Sequence, residues 1–144
     1  MKLGVVSVAS MWRDPKGIEE RQARYREELL AVGARMGVEF VWHKPDATAA
    51  ELSSGDGLII LVLSGGTERA ALTAISRWSG HFTLLAHSAD NALPAALEIL
   101  SLARGGGARG DLIQARRDWQ QELGRRLHLM RARQLMAGSV LGVI

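Results

Sequence analysis

Residues 57–63, Gly-Leu-Ile-Ile-Leu-Val-Leu, form an unbroken apolar run in the middle of the chain. A strand with one wet face alternates apolar and polar side chains. A run that is apolar at every position has no wet face and fits the centre of a parallel sheet covered on both sides. Parallel neighbours cannot be joined by hairpins, so such a strand demands helical crossovers before and after it.

The flanking sequence supplies them. Residues 3–8 read as a first apolar strand. Ile18, Tyr25, Leu29, Val32 and Met36 then recur at helical spacing over residues 17–36. Asp14-Pro15 is a plausible entry to that helix and Gly37 a plausible stop. A second strand spans 38–43 and closes at Lys44-Pro45-Asp46; Thr48 caps a short turn before the apolar run. Residues 66–78 read as helix, 82–86 as a fourth strand, and 91–104 as helix with Pro94 in its first turn.

Gly105-Gly106-Gly107-Ala108-Arg109-Gly110 reads as a flexible linker. A long helix is expected over 111–136, carrying the stripe Leu112, Ala115, Trp119, Leu123, Leu127 and Met130. Gly138 ends it, and 139–144 starts as a fifth strand. Strand and helix alternate throughout, which gives a three-layer, open, doubly wound α/β sheet of the flavodoxin or Rossmann type, strand order 2-1-3-4-5. The organisation expected is one α/β domain over 1–138, with 139–144 as the first strand of a second domain belonging to a longer parent chain.

Composition narrows the functional classes. The chain of 144 residues has no cysteine, so disulfides and thiolate metal sites are excluded and a cytoplasmic location is expected. No apolar run reaches membrane-span length and no basic-then-apolar leader opens the chain. Eight arginines fall between Arg104 and Arg133, opposed by Asp111, Asp118 and Glu122. A basic helix invites a nucleic-acid reading. These charges are interleaved with apolar positions and no nucleic-acid-binding motif accompanies them, which favours a solvated or partner-facing helix.

In a doubly wound sheet, ligands bind beyond the carboxyl ends of the strands. Three loops sit there. Ser64-Gly65-Gly66-Thr67-Glu68 follows the apolar run. Paired glycines let backbone approach a ligand and expose successive N–H groups, Thr67 is placed to cap the next helix, and Glu68 complements its dipole. The stretch lacks the Gly-Lys-Ser/Thr of a P-loop and the spacing of a dinucleotide fingerprint, so a plain strand-to-helix turn stays open beside a ligand loop. His87, Asp90 and Asn91 follow the fourth strand; they group polar atoms for hydroxyls or a metal, or else cap a helix and brace a loop. Trp12 and Arg13 follow the first strand, where an indole stacks on a sugar ring or packs locally, and a guanidinium meets an anion. His43, His81 and His128 show no metal-ligand spacing.

Two of these loops together resemble a known family. Ser64-Gly65-Gly66-Thr67-Glu68, followed by Ala86-His87-Ser88-Ala89-Asp90-Asn91-Ala92-Leu93-Pro94-Ala95-Ala96-Leu97-Glu98, looks like the N-terminal domain of L-fucose isomerase-like proteins, within the L-fucose and L-arabinose isomerase superfamily. The sequence departs from the family pattern at Asp90, where asparagine is usual, and at Ala92, where serine is usual. The resemblance implies a domain that recognises an open-chain sugar, often at an oligomer interface, as part of a homo-oligomer. Gly65, Gly66, Thr67, Glu68, His87, Asn91 and Trp12 are the substrate-binding positions expected on this view. Ketose–aldose interconversion and its metal, Mn2+ by resemblance, would belong to later domains of a parent protein, so no catalytic or metal residue is expected in this chain. The second reading is a non-catalytic small-molecule binding module of the same fold.

Overall fold

The computed structural model describes residues 1–10 and 14–139. Five strands, β1 (Lys2–Val8), β2 (Glu39–His43), β3 (Gly57–Val62), β4 (Phe82–Ala86) and β5 (Gly110–Gln114), form one parallel sheet in the order β2-β1-β3-β4-β5. Helices α1 (Pro15–Met36), α2 (Ala49–Leu52), α3 (Glu68–Ser76) and α4 (Ala92–Gly105) connect the strands, and α5 (Trp119–Ala137) follows β5. The three-layer, doubly wound α/β fold is the expected one.

The apolar run sits where its composition requires. Leu58, Ile60 and Val62 of β3 face one core, with Ala71, Ala74 and Ile75 of α3 and Ala95, Ala96 and Ile99 of α4. Ile59 and Leu61, with Leu63 just beyond the strand, face the other, with Ile18, Tyr25, Leu29 and Val32 of α1 and Trp119, Leu123 and Leu127 of α5. Period-two alternation thus sends neighbouring residues to opposite layers. Truncating a fully buried isoleucine such as Ile60 to alanine costs about 2–5 kcal/mol.

Local signals set the helix boundaries. Asp14 accepts from the backbone N–H of Gly17 at 3.1 Å, with Pro15 at the first helical position. Gly37, at φ 62°, closes α1 in the left-handed region. Thr48 and Glu51 make a reciprocal capping box on α2.

The fifth strand corrects the sequence reading. Residues 110–114 are the edge strand β5, not part of a linker and a long helix, and α5 begins only at Trp119. Leu112 and Ala115 match a helical stripe by spacing, yet Gly110-Asp111-Leu112-Ile113-Gln114 pairs with β4 from Phe82↔Gly110 to Ala86↔Gln114. Glycine at 110 is required there, because a Cβ would lie 2.1 Å from the Phe82 ring. The glycines at 105–107 do not form a linker: α4 runs through Gly105, and Gly107, at φ 89°, turns the chain into β5. Of residues 139–144, where a fifth strand was expected, 140–144 lie outside the described residues.

Candidate functional site

Three loops meet at the carboxyl edge of the sheet, after β1, β3 and β4. The backbone N–H of Ser10 donates to Ser64 Oγ at 2.7 Å, and that hydroxyl donates to the Gly65 carbonyl at 3.0 Å. The N–H of Gly65 donates to the carbonyl of Asp90 at 2.8 Å. One rim therefore runs across all three loops, centred on Ser64-Gly65-Gly66.

Glycine is required twice in this rim. Gly66 has φ 73°, in the region that penalises side chains. At Gly65 a Cβ would lie 3.1 Å from Asn91 Cβ, tighter than ordinary packing. Thr67 occupies the N-cap position of α3, but its hydroxyl donates back to the Ser64 carbonyl at 2.9 Å and makes no side-chain bond to the helix. It is buried and shapes the turn; the capping role expected of it is not what its side chain does.

The loop after β4 is built around a spent histidine. His87 is buried; its Nδ1 accepts from the Ala89 N–H at 3.0 Å, which leaves Nε2–H to donate to the Leu63 carbonyl at 3.1 Å. Burial, and then the nearby Arg21 charge, lower its pKa from the ordinary 6.5. The ring stacks on Tyr25 at a centroid distance of 6.3 Å, and Tyr25 meets Trp119 edge-on at 5.9 Å. Burial also raises the Tyr25 pKa. His87 thus pins the β4 loop to the end of β3 with both ring nitrogens occupied.

Asp90 and Asn91 both adopt left-handed backbone, at φ 53° and 55°. Aspartate and asparagine tolerate this better than other side chains, though it still costs energy. The strain is held by the Arg21–Asp90 ion pair at 2.7 Å, part-buried on both sides, and by the Gly65–Asp90 backbone bond. Asn91 stands at the N-cap of α4 without capping it by its side chain, so its amide is exposed.

A cleft of about 290 Å3 lies between the N-terminal turns of α3 and α4. Gly65, Gly66 and Glu68 line one wall; Asn91, Pro94, Ala95 and Glu98 line the other. The second wall follows helical geometry, since positions 91, 94, 95 and 98 share one face of α4. The cleft offers two carboxylates, a primary amide and glycine backbone, and among the described residues that line it there is no basic side chain. Such a lining accepts hydrogen bonds from hydroxyls and opposes anions.

Of the seven expected positions, Gly65, Gly66, Glu68 and Asn91 line this cleft. Thr67 and His87 lie buried behind it as scaffold, and Trp12, like Arg13, falls outside the described residues. Asp90, grouped with His87 and Asn91 as a ligand or capping candidate, is instead held by Arg21; Glu98, Arg21 and Ser10 were not singled out. The spacing of Glu98 from Asn91 and Pro94 carried its signal; the Arg21 contact, 69 positions away from Asp90, carried none.

A second concavity, about 260 Å3, lies at the opposite edge of the sheet. There Asp111 pairs with Arg126, an ion pair that fastens β5 to α5, and lies 3.1 Å from His81 Nε2. Among the described residues no group of three or more His, Asp and Glu side chains could hold a metal ion, and no helix is long and apolar enough to cross a membrane. No protein-family model, curated protein or solved structure matches the chain.

Proposed function

We propose that the chain is a substrate-recognising domain of a sugar (ketose–aldose) isomerase-like protein, and that its cleft between α3 and α4 binds an open-chain polyol. The observation that carries this reading is the lining of the cleft: Glu68, Glu98 and Asn91 converge on exposed glycine backbone at the carboxyl edge of a doubly wound sheet. Hydroxyls donate to the carboxylates, and the Asn91 amide both donates and accepts. A phosphorylated ligand would gain from the two helix N-termini but would face two carboxylates at close range.

On this reading the chain binds and orients, and the groups that move protons or hydride come from other domains. The carboxylate- and amide-lined cleft and the resemblance carried by Ser64–Glu68 and Ala86–Glu98 support it together. A non-catalytic binding module is the second reading, favoured by His87: the one histidine near the rim has both nitrogens engaged and is not free to act as a base.

Titration calorimetry with hexitols, pentitols and their phosphates tests the proposal. Neutral polyols are expected to bind at millimolar strength, and the phosphates more weakly. Tighter binding of the phosphates, or no binding of any polyol, overturns it. Isomerase-like function is separated from the binding module by reading the gene beyond codon 144 and assaying ketose–aldose exchange with the whole gene product.

A further inference from the structure

The two edges of the sheet are treated differently. In β5, Arg109 O accepts from Phe82 and Ala115 N donates to Ala86, so odd-numbered residues face β4 and the groups of Gly110, Leu112 and Gln114 face outward. All three outward carbonyls are occupied. Arg104 gives two bonds to Gly110 O, at 3.1 and 2.7 Å; Arg126 gives one to Leu112 O at 3.1 Å; the Arg116 N–H gives one to Gln114 O at 2.7 Å. Among the described residues the outward N–H groups of Gly110, Leu112 and Gln114 have no partner, but occupying the carbonyls removes the acceptors that another strand would need.

At the other edge, Glu39 N donates to Met1 O, so residues 39, 41 and 43 face β1 and the backbone groups of Phe40 and Trp42 face outward. Among the described residues these outward N–H and C=O groups have no hydrogen-bond partner. Beside them a shallow groove of about 570 Å3 is lined by Met1, Leu30, Ala34, Val38 and Phe40 among others, and Leu30 is 53% exposed.

We infer that β2 is the pairing edge of a two-fold homodimer, in which β2 of two copies runs antiparallel and extends the sheet across the axis. The strand's own sequence selects a second copy as the occupant. Centring the axis on Val41 places Phe40 opposite the partner's Trp42, and both residues carry outward backbone groups, as a hydrogen-bonded antiparallel pair requires. The same register sets Glu39 against the partner's His43, a carboxylate against an imidazole, and Val41 against the partner's Val41. Pairing by an odd register would bury charge against Phe40 or Trp42 instead. The apolar side of α1 around Leu30 and Ala34 then lies next to its counterpart across the axis.

Val41 is the position to change, because it meets itself and its side chain is only half-buried in one copy. Sedimentation of the wild-type chain is expected to show a dimer at micromolar concentrations. Val41→Glu and Val41→Lys should each weaken dimerisation at least about tenfold by setting like charges face to face. Mixing the two variants should restore the dimer, and that rescue distinguishes an interface effect from misfolding. A wild-type chain that stays monomeric, variants that dimerise as the wild type does, or mixed variants that remain monomeric would each overturn the inference.

Discussion

The backbone N–H of Gly65 donates to the carbonyl of Asp90 at 2.8 Å, so the loops after β3 and β4 are one hydrogen-bonded unit. A side chain at Gly65 would press on Asn91 and pull this bond apart. Gly65→Val is therefore expected to lower stability by about 1–3 kcal/mol. Chemical denaturation would measure the loss, and a change under about 0.5 kcal/mol would show the loops to be independent.

Asn91 holds left-handed backbone and exposes its amide to the cleft, so its conformational and binding roles separate. Asn91→Gly removes the strain and the amide together. Stability should stay within about 0.5 kcal/mol of the parent or rise. Polyol affinity should fall by about tenfold, the value of one lost hydrogen-bonding group. A variant that binds normally would remove Asn91 from the site.

Glu98 is exposed on the cleft wall, so its replacement is not a folding problem. Glu98→Gln should leave the melting temperature unchanged and weaken neutral polyols several-fold, while phosphorylated analogues gain because one repelling charge is gone. Calorimetric titration of both ligand classes checks the opposite signs.

His87 makes stability depend on pH. Its folded pKa is depressed by burial below the ordinary 6.5, so below that pH the unfolded chain takes up a proton that the folded chain refuses. Stability is fully present above about pH 6.5 and falls as pH drops towards the folded pKa, with a slope of at most about 1.4 kcal/mol per pH unit. His87→Gln should be less stable at neutral pH and flatter over that window. Denaturation curves between pH 5 and 8 would show whether the slope persists in the variant, which would assign it elsewhere.

The fold was legible where composition left one solution. Residues 57–63 cannot tolerate a wet face, so β3 had to be central, and Asp14-Pro15 and Gly37 marked α1 at both ends. The strand β5 was not legible, because Leu112, Ala115 and Trp119 satisfy helical spacing as well as a short edge strand does. The pairing of Gly110–Gln114 with β4 and the fit of Gly110 against Phe82 decide between them, and both are tertiary contacts. In the site, Gly65, Gly66, Glu68 and Asn91 were readable as loop residues after strands. The inward roles of Thr67 and His87 were not, since a hydroxyl or an imidazole reads the same whether it faces a ligand or a backbone carbonyl. The arginine excess has a similar explanation: Arg104, Arg126 and Arg131 are bound to backbone carbonyls within the fold.

The most direct test of the polyol cleft is amide NMR of the labelled chain during titration with a neutral hexitol to about 50 mM, enough to populate a millimolar complex. Saturating shifts confined to Gly65, Gly66, Glu68, Asn91 and Ala95, with their midpoint moved several-fold higher by Glu98→Gln, are the predicted result. Shifts centred on Asp111 and Arg126 at the opposite edge, or no saturable shift at all, would contradict the account.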